Sequence, residues 1–122
     1  MVVAGLHITA LTYALYWLLP WFDLLMHFLG GFLVACIVVF VLLYLKHIAY
    51  KNLFFSGRRI LFLVFTVTLF VGVMWEVFEY IFSLWDTVNY ILDTAIDLVM
   101  DLLGAVSVYF VVVRSRLYSM LQ

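Results

Sequence analysis

Four long runs of apolar residues follow one another along the chain, separated by short polar segments. They cover residues 2–19, 22–45, 60–85 and 88–113, to within a few positions. Each run is long enough to cross a membrane, since a helix of ~20 residues spans the hydrocarbon layer of about 30 Å. No strand-like alternation accompanies them, so the backbone polar groups must be paired within helices. The pattern predicts an all-α, polytopic membrane protein, a four-helix transmembrane bundle formed by residues 1–122 as a single domain.

Composition supports this assignment and excludes several classes of protein. Of the 122 residues, 70% are hydrophobic and 11% are charged, whereas soluble domains are roughly 45–50% apolar and about 25% charged. A formal net charge of −1 gives no basis for binding nucleic acid. The single cysteine, Cys36, rules out an intrachain disulfide framework. We therefore expect the function to lie in or at the bilayer.

The basic residues lie at one end of the predicted bundle. They are Lys46, Lys51, Arg58, Arg59, Arg114 and Arg116, which fall between the second and third spans or after the fourth. The positive-inside rule makes that side cytoplasmic in the cell membrane. With four spans, both termini are then expected to be cytoplasmic. The first ten residues lack the basic segment of a secretory signal, so we expect them to stay as part of the first span.

All acidic residues lie in the opposite half, toward the outer face. They are Asp23, Glu76, Glu79, Asp86, Asp93, Asp97 and Asp101. His27 follows Asp23 by one helical turn, roughly 6 Å deeper at a rise of 1.5 Å per residue. The last three acids are spaced by four residues and so form a stripe along one helix. Three helices thus offer carboxylates at overlapping depths.

These carboxylates need a partner, because an ionised group in hydrocarbon costs roughly 3 kcal/mol or more. No Lys or Arg lies in their half, which leaves shared protons or a bound cation. Carboxylate oxygens together with a histidine nitrogen suit Mg²⁺, Ca²⁺, Mn²⁺ or Zn²⁺, and we favour a divalent metal ion. The predicted metal ligands are His27, Glu76, Asp93 and Asp97. The predicted catalytic carboxylates are Asp23, Glu79 and Asp101.

Other polar or small residues have simpler interpretations. Taken alone, Asp23 is explained equally well by a helix N-cap and by a site role. An isolated His27 would be interpreted as a neutral histidine hydrogen-bonded to a neighbouring helix. Trp75 is expected to serve packing, and His7 to be structural or exposed. Four glycines are predicted to allow close approach of the helix backbones. They are Gly30, Gly31, Gly72 and Gly104.

The same residues carry a resemblance to known families. The series Asp23-x3-His27-Phe28-x-Gly30-Gly31, Trp75-Glu76-x2-Glu79 and Asp93-x3-Asp97-x3-Asp101-x2-Gly104 resembles the uncharacterised YjdF-like bacterial and archaeal membrane proteins. It is more distantly similar to VanZ-like proteins, which are linked to teicoplanin resistance. VanZ-like proteins often carry Gln at the position of Glu79 and Asn at that of Asp101. A proposed relation of that wider group to phosphatidylserine-synthase-type enzymes implies an activity on lipid head groups. The resemblance implies an active-site set of Asp23, His27, Glu76, Glu79, Asp97 and Asp101.

Two main classes of function fit these observations. The first is a metal-dependent enzyme, a transferase or hydrolase, that modifies the head group of a phospholipid or polyprenyl-phosphate lipid at the outer leaflet. Its ion would be held by His27, Glu76 and Asp97, with Glu79 or Asp101 as the general base. The second is a divalent-cation or proton-coupled transporter, as a homo-oligomer, although few polar side chains lie below Asp101. A blander alternative is a scaffold whose acids pair with a basic partner helix.

Overall fold

The computed structural model describes residues 2–48, 56–82 and 89–114, and helices account for nearly all of them. The helices are α1 (Val2–Thr12), α2 (Leu15–Leu18), α3 (Pro20–Ile48), α4 (Gly57–Phe82) and α5 (Tyr90–Arg114). Within the described residues, α3, α4 and α5 are long and apolar enough to cross a membrane. The chain is therefore an all-α polytopic membrane protein with three candidate spans and a short helical segment before them.

The region predicted as the first span is a broken helix. α1 ends at Thr12, and Ala14 has a φ of 56°, in the left-handed region that non-glycine residues rarely adopt. The 11 residues of α1 rise about 16 Å, roughly half of the hydrocarbon thickness. α1 is thus too short to cross by itself. The prediction of four crossings is corrected to three candidate spans preceded by α1 and α2.

The three long helices agree closely with their predicted positions. α3 begins at Pro20, two residues before the predicted start, because proline is well suited to the first turn, where no N–H is needed. α4 begins three residues before its predicted start. Residues 83–88, which include Asp86, the predicted end of one span and the start of the next, lie outside the described residues. Lys51 and Arg116 also lie outside them.

One half of the bundle is closed by an apolar core, which we call the apolar half. Its buried residues come from the second part of α3, the first part of α4 and the second part of α5. They are Ala35, Val39, Leu42, Ile60, Val64, Ala105, Val108 and Val112. Lys46 near the end of α3 and Arg58 and Arg59 at the start of α4 lie at this end. The predicted segregation of bases from acids is thus present in the described helices.

Glycines set the distance between α3 and α5. A Cβ at Gly31 would overlap the backbone of Asp101, and a Cβ at Gly104 would overlap the backbone of Phe28. The two helices are therefore in direct backbone contact, as small residues permit in membrane bundles. A Cβ at Gly72 would meet the Asp101 carboxylate at 2.5 Å, so α4 also leaves room for that side chain. The acids lie on the far side of this crossing, in what we call the acidic half.

Candidate metal centre

His27 lies among carboxylates contributed by all three long helices. On α3, Asp23 precedes it by one turn and places Oδ1 3.9 Å from the His27 Nε2. α4 brings Glu76 Oε1 to 3.7 Å from the same nitrogen, and α5 brings Asp97 Oδ2 to 4.0 Å. His27, Glu76 and Asp97 are 5%, 5% and 2% exposed. Three distant parts of the sequence thus surround one imidazole nitrogen.

The second ring nitrogen of His27 has a different partner. Its Nδ1 lies 3.5 Å from Oδ2 of Asp101, which is also buried. Metal-binding histidines commonly donate the second ring N–H to a carboxylate, which fixes the tautomer and leaves the other nitrogen as the ligand. In that tautomer Asp101 orients the imidazole so that Nε2 faces the other three acids. This geometry is compatible with a positioning role for Asp101.

One carboxylate oxygen of Glu76 accepts a hydrogen bond, and the other faces His27. The Thr94 hydroxyl donates to Glu76 Oε2 at 2.7 Å, and the Tyr90 hydroxyl donates to the Glu76 backbone carbonyl at 2.8 Å. Across the described helices, Glu76 Oε1 and Asp97 Oδ1 are buried without a hydrogen-bond donor. Such an oxygen destabilises the fold unless it carries a proton or binds a cation. The cluster therefore has both the donor atoms and the energetic reason for a cation.

The distances fit a divalent ion. Two groups of side chains have ligand atoms that all lie within 4.8 Å of one another, and both include His27. Donor atoms about 2.2 Å from a tetrahedral ion lie ~3.6 Å apart, close to the 3.7 to 4.0 Å between His27 Nε2 and its carboxylate oxygens. The first group is Asp23, His27 and Asp97, and the second is His27, Glu76 and Glu79.

A cavity of about 330 Å³ adjoins this cluster. Asp23, His27, Glu79 and Asp101 form part of its wall. Much of the remaining wall is apolar and is supplied by α1, α3 and α4, through Val3, Ala4, Leu33, Val34 and Val71. Lys and Arg are absent from the lining among the described residues. The cavity thus joins an acidic polar end to an apolar compartment.

The N-terminal segment contributes two further polar side chains to this cavity. His7 on α1 and Tyr16 on α2 both line it, and His7 Nδ1 lies 2.7 Å from the Tyr16 hydroxyl. The His7 ring also contacts the Trp75 ring edge-on, with centroids 5.6 Å apart. Burial, followed by the charges of Asp23 and Glu79, raises the pKa of the Tyr16 phenol to about 12, so the hydroxyl stays protonated at neutral pH.

The structure brings together most of the residues singled out from the sequence. The set consists of Asp23, His27, Glu76, Glu79, Asp97 and Asp101. Asp93, predicted as a ligand, is half-buried and belongs to neither candidate ligand group. Asp23 is in the first turn of α3, three residues after Pro20, and is therefore not the N-cap. Trp75 packs against aromatic rings, as expected.

Two polar contacts were missed by the sequence analysis. Thr94 precedes Asp97 by three residues, which puts both on one helix face, so this spacing was available as a signal. Tyr16 had no such signal, because its position follows from the left-handed Ala14.

Comparison with known proteins supports the membrane assignment. Residues 1–117 match the family described as "Predicted membrane protein (DUF2238)". The chain belongs to this family. Neither a curated protein nor a solved structure matches it. The family description agrees with the three candidate spans, and the likeness to YjdF-like and VanZ-like proteins stays a hypothesis.

Proposed function

We propose that this DUF2238 protein is a metal-dependent membrane enzyme that modifies the head group of a phospholipid or polyprenyl-phosphate lipid. The observation that carries the proposal is the His27 cluster. Carboxylates from three helices surround one nitrogen, and two buried oxygens have no donor among the described residues. The adjoining apolar cavity supports a lipid as the substrate, because a chain in the cavity would place its head group at the acids.

The ion would be held by His27 Nε2, Glu76 Oε1 and Asp97 Oδ2. Glu76 and Asp97 come from the two different candidate groups that share His27, all three residues are at most 5% exposed, and Asp101 orients the histidine. A divalent ion bound there would supply Lewis-acid polarisation of a phosphoryl group. Asp93 is left out of this ligand set.

The two less buried carboxylates, Asp23 and Glu79, are assigned to proton transfer. Both line the cavity, and each shares a candidate ligand group with His27. As the new P–O bond forms, Glu79 takes the proton of the attacking water or alcohol. As the old P–O bond breaks, a protonated Asp23 gives its proton to the leaving oxygen. The sequence left Glu79 and Asp101 as candidates for the general base. We retain Glu79, because Asp101 is hydrogen-bonded to His27.

We infer the side of the membrane from the charge distribution. Lys46, Arg58 and Arg59 lie at the end of the bundle remote from the acids, and the positive-inside rule favours a cytoplasmic position for that end. We therefore propose that the cavity serves lipids of the outer leaflet of the cell membrane.

The transporter alternative finds less support. An ion path through one protomer would have to continue past Asp101 into the apolar half, where the buried core consists of aliphatic side chains. Ions do not pass through such a packed region without polar groups. A path between protomers of a homo-oligomer would avoid this core, and metal-dependent flux in liposomes would be its test.

The first experiment measures metal content. Wild-type protein purified in mild detergent and loaded with divalent ions should hold a near-stoichiometric ion, and the double variant Glu76→Gln, Asp97→Asn should hold little. Both substitutions keep side-chain volume, so the fold should survive. Asp93→Asn is the matched control on α5, because Asp93 is outside both ligand groups and its loss should leave the ion in place.

The second step tests turnover. Metal-loaded wild-type protein is incubated with a panel of phospholipids and polyprenyl phosphates, and the products are followed by mass spectrometry. Head-group conversion that Glu79→Gln reduces by 100-fold or more would support the assigned base. Retention of the ion in the double variant, or absence of conversion across the panel, would contradict the proposal.

A further inference from the structure

An anionic head group would meet an unusual environment in this cavity. The polar wall carries carboxylates, and the lining has neither Lys nor Arg in the described part of the chain. A single divalent ion does not balance six nearby acids, so a phosphate also needs hydrogen-bond donors of its own.

His7 and Tyr16 supply such donors from the N-terminal segment. A neutral histidine has one N–H and a tyrosine has one O–H, and the 2.7 Å contact between Nδ1 and the hydroxyl uses one of these two protons. Whichever tautomer is present, the pair keeps one further donor. Both residues line the same cavity as the His27 cluster. The pair is therefore a hydrogen-bond donor site placed beside an acidic one.

Packing holds both rings in place. The Tyr16 ring contacts the buried Phe22 edge-on with centroids 5.5 Å apart, and the His7 ring contacts Trp75 in the same way. The left-handed Ala14 separates α1 from α2 and lets the chain return, so that residues nine positions apart meet. The unusual backbone at Ala14 is explained if it builds this pair, since strained backbone is often retained at functional sites.

We infer that the His7–Tyr16 pair is a head-group subsite that donates a hydrogen bond to a phosphate oxygen of a lipid. The apolar chain of that lipid would lie along Val3, Leu33 and Val71. This inference deepens the proposed function and rests on it for the identity of the site. Binding itself requires no turnover, so the subsite is tested separately from the chemistry.

Lipid binding to the purified protein, followed by native mass spectrometry, provides the test. Dioleoylphosphatidic acid is compared with dioleoylglycerol, which has the same chains and no phosphate. We expect the wild-type protein to bind the first at least tenfold more tightly, as charged hydrogen bonds in a buried site allow. Equal binding of the two lipids would overturn the inference without the need for any variant.

Two variants locate the effect. Tyr16→Phe keeps the contact with Phe22, and His7→Phe keeps the contact with Trp75, while each removes the polar atoms of its residue. Each single variant frees the proton of the remaining partner, so the double variant His7→Phe, Tyr16→Phe is the decisive one: it should weaken phosphatidic acid binding about tenfold and leave dioleoylglycerol binding and metal content unchanged. Tyr109→Phe, beside the apolar core, is the matched control and should bind as the wild type does. Wild-type affinity in the His7→Phe, Tyr16→Phe double variant would overturn the inference.

The remaining arms separate this inference from the proposed function. Suppose that the protein holds no metal but prefers the phosphate lipid, and that the His7→Phe, Tyr16→Phe double variant removes this preference. This result would refute the metal enzyme and keep the subsite. Inorganic phosphate is added as a competitor. Failure of millimolar phosphate to displace the lipid would support a lipid ligand, and full displacement would show that free phosphate is the ligand and overturn the lipid assignment.

Discussion

The same three helices form two halves with opposite chemistry. In the apolar half, α3, α4 and α5 enclose a core of aliphatic side chains, in which residues such as Ile60 and Val64 are fully buried. In the acidic half, the same helices hold His27 among carboxylates and border a cavity of about 330 Å³. Stability is therefore expected to come mainly from the first half and chemistry from the second.

The two halves also differ in the free-energy cost of their buried polar atoms. Glu76 Oε1, Asp97 Oδ1 and the Thr68 hydroxyl are buried without a hydrogen-bond partner in the described part of the chain, and all three atoms lie at or beside the cluster. Each such atom costs roughly 1–3 kcal/mol. The apolar half contains aliphatic residues in its core and carries no such cost. Its packing thus supports a neighbouring site that is unstable by itself.

The largest effect is expected at the junction of the halves. Gly31→Ala would drive a methyl group into the Asp101 backbone, where no side chain is free to move aside, and should abolish most of the folded protein. Gly5→Ala on α1 is the control, because an added Cβ there meets nothing within 4 Å. Folded yield and thermal unfolding in detergent measure both. A stable Gly31→Ala protein would show that α3 and α5 do not touch as described.

An intermediate effect is expected within the acidic half. Asp101→Asn keeps the shape that fits beside Gly72 and removes the charge that faces His27 Nδ1. Metal affinity should fall about 10- to 100-fold, as for other residues that orient a ligand. Metal titration measures this change. A loss as complete as that of the double variant Glu76→Gln, Asp97→Asn would instead identify Asp101 as a direct ligand.

The smallest effect is expected on the free energy of unfolding, when substitutions at two positions one turn apart on α4 are compared. Val64→Thr adds a hydroxyl to the apolar core and should lower the free energy of unfolding by about 1 kcal/mol. Thr68→Val removes a buried hydroxyl beside the cavity and should leave stability equal or higher. Both substitutions preserve side-chain volume, and denaturation in detergent measures their effect on the free energy of unfolding. A reversed order of the two stabilities would remove the distinction between the halves.

The long helices were predictable because their apolar runs have clear lengths and polar ends. The starts of α3 and α4 differ from prediction by two and three residues. The break near Ala14 was not predictable, since residues 6–19 contain neither Gly nor Pro and read as one continuous apolar run. Composition alone does not distinguish a helix that crosses lipid from one that turns back.

The site was predictable in its membership and not in its geometry. Spacing placed His27, Glu76 and Asp97 together, and the structure does the same. Residues four apart on a helix rotate by about 40° relative to each other, so Asp93 and Asp101 differ by about 80° and do not face the same point. Asp93 also lies about 6 Å along the helix axis from Asp97, and it belongs to neither ligand group. Which nitrogen of His27 meets which acid depends on the packing of α3 against α5, which the sequence does not show.

The position of the acids on α5 also bears on how the chain enters the membrane. Asp97 and Asp101 lie well inside this helix, and each costs roughly 2.5–3.5 kcal/mol during insertion of an isolated segment. α3 has a single acid, Asp23, in its first turn. We therefore expect α3 to insert unaided, whereas α5 is retained after it docks on α3 through Gly31 and Gly104. During biosynthesis, the helix that completes the acidic cluster is thus the one that depends most on a partner already in place.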